Sequence, residues 1–135
     1  MSSNRPEAFN QKTFEKGLDV RKKVLGADHV QRSLDGASDF TREMQEFVTE
    51  YCWGAIWGRP GLDLRTRSML NIGMLTALNR SHELAVHVRG AINNGVTESE
   101  IKEIVLQAAV YCGIPAGLES LRIAEKAINE LRSDE

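Results

Sequence analysis

The sequence predicts an all-α fold on three observations. Apolar residues recur at spacings of three and four, capping signals stand at the ends of those stretches, and no segment sustains the period-2 alternation of a half-buried strand. Five to seven helices are expected, in one domain over residues 1–135. At 135 residues, with 41% hydrophobic and 27% charged, the chain is long enough to bury one core and shows no composition break that would mark a second. The polar residues 1–8 are expected to be flexible.

The elements follow in order. Phe9 to Leu25 is a charged amphipathic helix ending at Gly26, and Asp28 to Leu34 is a short helix capped by Asp28 and closed near Gly36. From Asp39, the spacing Phe40, Met44, Phe47, Val48, Tyr51, Ala55 makes a helical stripe, expected to pack into the core and broken at Gly58-Arg59-Pro60-Gly61. Asp63 caps a helix running to about Asn79, whose apolar residues surround its axis, so it is expected to be buried. Ser81 is expected to cap the next helix, which stops at Asn93-Asn94-Gly95. Thr97-Glu98-Ser99-Glu100 forms a capping box for a helix through Ile101 and Ala109. Gly113 ends it, and Pro115 suits the first turn of a last helix to about Leu131. So apolar a chain of this size is expected to cover part of its surface with another copy of itself.

Composition excludes several functions. Seventeen basic against nineteen acidic residues give a net charge of −2 without charge runs, so neither a nucleic-acid nor a membrane-surface role has an electrostatic footprint. There is no apolar run of about 18 residues and no signal-peptide core, and the protein is expected in the cytoplasm. Cys52 and Cys112 belong to no C-x-x-C, which argues against a zinc site or a disulfide scaffold. His82 and His87 are five apart, about 140° around a helix, so they do not share a face as a helical zinc pair would. No phosphate-binding glycine loop occurs, and all six lysines fall on charged helix surfaces. Neither metal nor cofactor is expected.

The chemistry is expected on the helix from Ser81 to Asn94. At about 100° per residue, Leu84, Ala85, Val88, Ala91 and Ile92 form its apolar arc, and Glu83, His87, Gly90 and Asn94 form a strip along one edge. An exposed pair at this spacing contributes only about 0.2–0.5 kcal/mol, whereas dehydrating each charged group costs roughly several kcal/mol, so pairing alone does not explain Glu83 and His87 beside a core. They read either as a half-exposed ion pair or as an acid/base pair at a pocket wall.

Four stretches, Leu64 to Asn71, Glu83 to Ala91, Asn94 to Ile101 and Tyr111 to Pro115, closely resemble the carboxymuconolactone decarboxylase family over most of the chain. The resemblance implies an AhpD-like helical fold assembled as a homo-oligomer, usually a hexamer. One branch of the family uses C-x-x-C-x-x-x-H as a thiol peroxidase. Here His87 matches the histidine, but Arg80 and Glu83 stand at the cysteine positions, which removes the redox centre. The segment Trp53 to Gly61 is similar to the branch without thiols, which includes the decarboxylase of 4-carboxymuconolactone in protocatechuate catabolism. That branch implies cofactor-free decarboxylation of a small dianionic lactone, with His87 as proton donor and Glu83 orienting it or tuning its acidity. Arg65, Arg67 or Arg80 would grip the dianion, and Trp57 would line the pocket. A thiol peroxidase using Cys52 and a non-catalytic binding protein are the alternatives.

Overall fold

The computed structural model describes residues 10–134, and the segment expected to be flexible lies outside them, as does Phe9. Among the described residues every regular element is helical. The chain folds as two compact units, Met1–Leu62 and Asp63–Glu135.

The first unit holds α1 (Gln11–Leu25), α2 (Ala27–Asp35) and α3 (Arg42–Phe47), the last continuing into a π-helical segment, Val48–Ile56. Asn10 caps α1 by accepting from the Thr13 backbone N–H. Gly26, at φ 91°, both ends α1 and precedes α2, so Asp28 sits inside the first turn of α2 and is not its cap. The stripe expected to enter the core does not. Phe40 is 95% exposed, and Met44, Phe47 and Tyr51 are exposed as well. Phe40 lies before α3 altogether, and from Val48 the π-helical winding breaks the register, so that Thr49, Glu50, Trp53 and Gly54 become the buried residues.

Two glycines let α1 and the π-helical segment meet backbone to backbone. A Cβ built on Gly17 would overlap the Thr49 carbonyl oxygen and come within 2.7 Å of the Gly54 nitrogen, and one on Gly54 would overlap the Thr13 carbonyl oxygen. Alanine improves helix propensity by about 1 kcal/mol over glycine, but here the added methyl meets backbone that cannot rotate aside.

The second unit holds α4 (Leu64–Ala77), α5 (Ser81–Asn93), α6 (Glu98–Cys112) and α7 (Ile114–Ser133). Its core gathers Ile72, Leu84, Val88, Ala91, Ile101, Val105, Ala124 and Ile128. Asp63 caps α4 as expected, and Thr97 with Glu100 forms the complete capping box of α6. Ser81 does not cap α5. Arg80 occupies that position without a side-chain bond, and Ser81 Oγ donates instead to Glu119 at 3.2 Å. Nor is α4 buried all round. Its inner face is Ser68, Ile72 and Thr76, while Leu70, Met74 and Leu78 face outward. With α6, Leu70 and Met74 border an open apolar groove of about 790 Å³.

Gly17→Ala and Gly54→Ala are each expected to lower the unfolding free energy by at least about 2 kcal/mol in urea titrations. Unchanged stability would show that these backbones do not pack at glycine distance.

Candidate active site

An antiparallel pair, α4 and α5, builds the site. The chain reverses through Leu78, Asn79 and Arg80, with Asn79 at φ 58°, a left-handed conformation that asparagine tolerates, and with the Arg80 N–H bonded to the Leu75 carbonyl at 3.0 Å. Burial of Leu84, Val88 and Ala91 then fixes the rotation of α5 about its axis. The edge of that arc comes to lie along α4.

Two cross-helix contacts follow. The Asn71 side-chain nitrogen lies 3.4 Å from His87 Nδ1, a long contact that assigns Nδ1 as acceptor when the amide donates. Two turns further along, Asn94 donates to Ser68 Oγ at 2.9 Å and to the Leu64 carbonyl at 3.4 Å. Ser68 is fully buried and His87 half-buried, so the strip forms a polar seam at the rim of an apolar core. A neutral imidazole whose Nδ1 accepts carries its proton on Nε2.

The residues expected at the site are only partly gathered. Glu83 is exposed in the first turn of α5, and it makes no hydrogen bond to His87. Arg80, at the start of the same helix, has an exposed side chain. Arg67 is half-buried on α4. Arg65 is tied to α6, pairing with Glu100 and donating to the Gly95 carbonyl at 3.4 Å. Trp57 belongs to the first unit, where it is buried and stacked on Trp53 with ring centroids 4.6 Å apart. Asn71 is the participant that sequence reasoning missed. A carboxamide in mid-helix is a weak helix former, and three residues after buried Ser68 it falls on the inner side of α4, which was the available signal.

Electrostatics separate the roles further. The Arg65 guanidinium, with help from the Thr97 backbone N–H, holds the Glu100 carboxyl down at about 2. Glu100 and Glu103 also border the apolar groove, which contains neither His87 nor any arginine and so does not suit a dianion. Cys52 is half-buried, and burial pushes its thiol up against a smaller opposing effect of Arg21, so it stays protonated and poorly nucleophilic at neutral pH. Among the described residues no group of three or more His, Cys, Asp or Glu is placed to hold a metal ion, and no helix is long and apolar enough to cross a membrane.

Among the described residues the regular elements are all helical, and the seam sets an amide against an imidazole. The chain belongs to the carboxymuconolactone decarboxylase family, whose profile matches residues 42–126. It is 47% identical to the nitrosuccinic acid decarboxylase npaB of Metarhizium robertsii over 125 residues, which is 93% of this chain and 87% of that one. It is 42% identical to the 4-carboxymuconolactone decarboxylase of Acinetobacter baylyi over 122 residues, covering 90% and 91% of the two chains.

Two measurements check this geometry. In ¹⁵N spectra, neutral His87 is expected as the Nε2–H tautomer, with Asn71→Leu shifting it toward a mixture, and a dominant Nδ1–H form in the parent would contradict the Asn71 contact. Arg65→Met is expected to raise the Glu100 carboxyl from about 2 toward 4.5 in an NMR titration. A depressed carboxyl stabilises the fold above the unfolded value of 4.5 and loses that contribution as pH falls toward 2, so the variant should lose less stability than the parent across that window.

Proposed function

We propose that this chain is a cofactor-free carboxy-lyase of the cytoplasm that converts 4-carboxymuconolactone to 3-oxoadipate enol-lactone in protocatechuate catabolism. The observation that carries the reading is a half-buried imidazole in contact with Asn71 through Nδ1, in a chain whose full-length relatives are named as decarboxylases.

The reaction asks little of a protein. The departing carboxylate sits on a ring carbon conjugated through a double bond to the lactone carbonyl. When CO2 leaves, its bonding electrons flow into a dienolate, so the substrate is its own electron sink. The site must bind the dianion, favour charge on the enolate oxygen and protonate a ring carbon. In this reading His87 delivers the proton from Nε2, and Glu83, one turn earlier on α5, turns toward the ring when substrate is bound. Arg80 and Arg67 hold the carboxylates, while Arg65 keeps its pairing with Glu100 and fixes α4 to α6.

Nitrosuccinic acid, named in one relative, offers a second substrate of the same logic. It too is a dicarboxylic acid, and its nitro group accepts the electrons as a nitronate. The exposed Leu70, Met74, Val110, Tyr111 and Leu118 of the second unit support assembly as a homo-oligomer, which we take to be the hexamer usual in the family.

Purified protein incubated with 4-carboxymuconolactone is expected to release CO2 and enol-lactone well above the uncatalysed rate. His87→Ala is expected to lower kcat by about 10²–10⁴-fold with the fold intact. Turnover of nitrosuccinate alone would reassign the substrate, and no turnover of either acid would sink the decarboxylase reading. By sedimentation, Tyr111→Glu is expected to shrink the assembly.

A further inference from the structure

Arg21 is a buried cation that the proposed mechanism does not use. It lies on α1 with 6% of its surface exposed. Its hydrogen bonds all come from Nη1, to Gln45 Oε1 at 3.1 Å and Thr49 Oγ1 at 3.0 Å. The Thr49 hydroxyl proton is already committed to the Gln45 carbonyl at 2.7 Å, so its lone pairs are what face Arg21. Both partners are therefore neutral acceptors on α3 and the π-helical segment, and they orient the guanidinium without balancing its charge.

No carboxylate among the described residues does so either. Glu50, next to Thr49, accepts from the Asn10 backbone N–H. Among the described residues Cys52 is the one titratable group that acts on Arg21 electrostatically, and its buried thiol is neutral at neutral pH. Nε is buried with no hydrogen-bond partner among them. It shares that condition with Thr76 Oγ1, but a neutral hydroxyl left unpaired is a far smaller cost than a dehydrated cation.

The unused atoms are adjacent. With Nη1 taken, Nε–H and one N–H of Nη2 point the same way along one edge of the guanidinium, the side-on edge that receives both oxygens of a carboxylate. We propose that this edge of Arg21 is a binding subsite for one carboxylate group of a small organic acid, which supplies the counter-charge that the described residues around Arg21 do not.

The occupant is a small organic acid, and succinate and 4-carboxymuconolactone both present the required carboxylate to Arg21. The test uses succinate and 4-carboxymuconolactone as two probes and needs no turnover, so its outcome is independent of the decarboxylase reading. With the Arg21 Nε–H resonance assigned through backbone connectivities in the uniformly labelled parent protein, each acid is titrated while all arginine Nε–H signals are followed. A saturable downfield shift of Arg21, with little movement of exposed Arg42 and Arg59 and none with succinamide, is expected. Whichever acid shifts Arg21 at the lower concentration is the one the subsite prefers, and either order supports the proposal. Arg21→Lys, which keeps the charge and loses the fork, is expected to weaken calorimetric binding about tenfold or more. An Arg21 signal that neither acid moves, or that moves no more than the exposed arginines, would overturn the proposal, and this readout in the parent protein decides even where the variant does not fold.

Discussion

Everything at the candidate site depends on the burial of one arc of α5. Leu84, Val88 and Ala91 are essentially inaccessible, and each fully buried aliphatic side chain contributes roughly 1.5–3 kcal/mol relative to exposure. No polar contact on the same helix approaches their combined effect. The long Asn71–His87 contact and the Asn94–Ser68 bond are consequences of that rotation. A helix turned by about 100°, one residue, would carry His87 away from α4 altogether.

The cations divide into two kinds. Arg42 with Asp39, Arg89 with Glu130 and Arg132 with Glu98 form surface pairs, of the sort that contributes about 0–1 kcal/mol each. They give those three arginines carboxylate partners within the chain. Arg65 belongs with them in kind, though it also joins the start of α4 to the capping box of α6. Arg21 stands apart, because it is the cation that is buried and yet faces only neutral acceptors. Exposed arginines with carboxylate partners stabilise locally, whereas a buried one without such a partner raises the energy of the empty state.

Legibility in the sequence followed the range of the interactions concerned. Asp63, the Thr97–Glu100 box and Gly113 act within a few residues, and each ends or begins a helix where the pattern said it would. The polar strip on α5 was legible for the same reason, since a single helix determines which residues share its edge. The π-helical segment was not legible, because a change of winding over nine residues leaves the side-chain pattern looking like an ordinary stripe while moving Trp53 and Gly54 inward and Tyr51 outward. Ser81 was misread because Arg80, one residue earlier, takes the cap position, and the Ser81 hydroxyl bonds across to Glu119.

Asn71 and Arg21 were hidden by a subtler effect. Each is a polar residue on the inner side of a helix, and a pattern reader treats such a residue as an interruption of the apolar stripe. On α1 the buried positions are Gly17, Arg21 and Val24, a three-and-four spacing in which Arg21 occupies a core register. On α4 the inward Ser68, Ile72 and Thr76 put Asn71 beside the same face. A polar group at such a register costs free energy unless something satisfies it, so it marks a place where the fold gives up stability for a partner. For Asn71 that partner is the imidazole of His87, within the chain. For Arg21 the described residues provide two neutral acceptors, and in the reading proposed above a carboxylate ligand fills the other edge of the guanidinium.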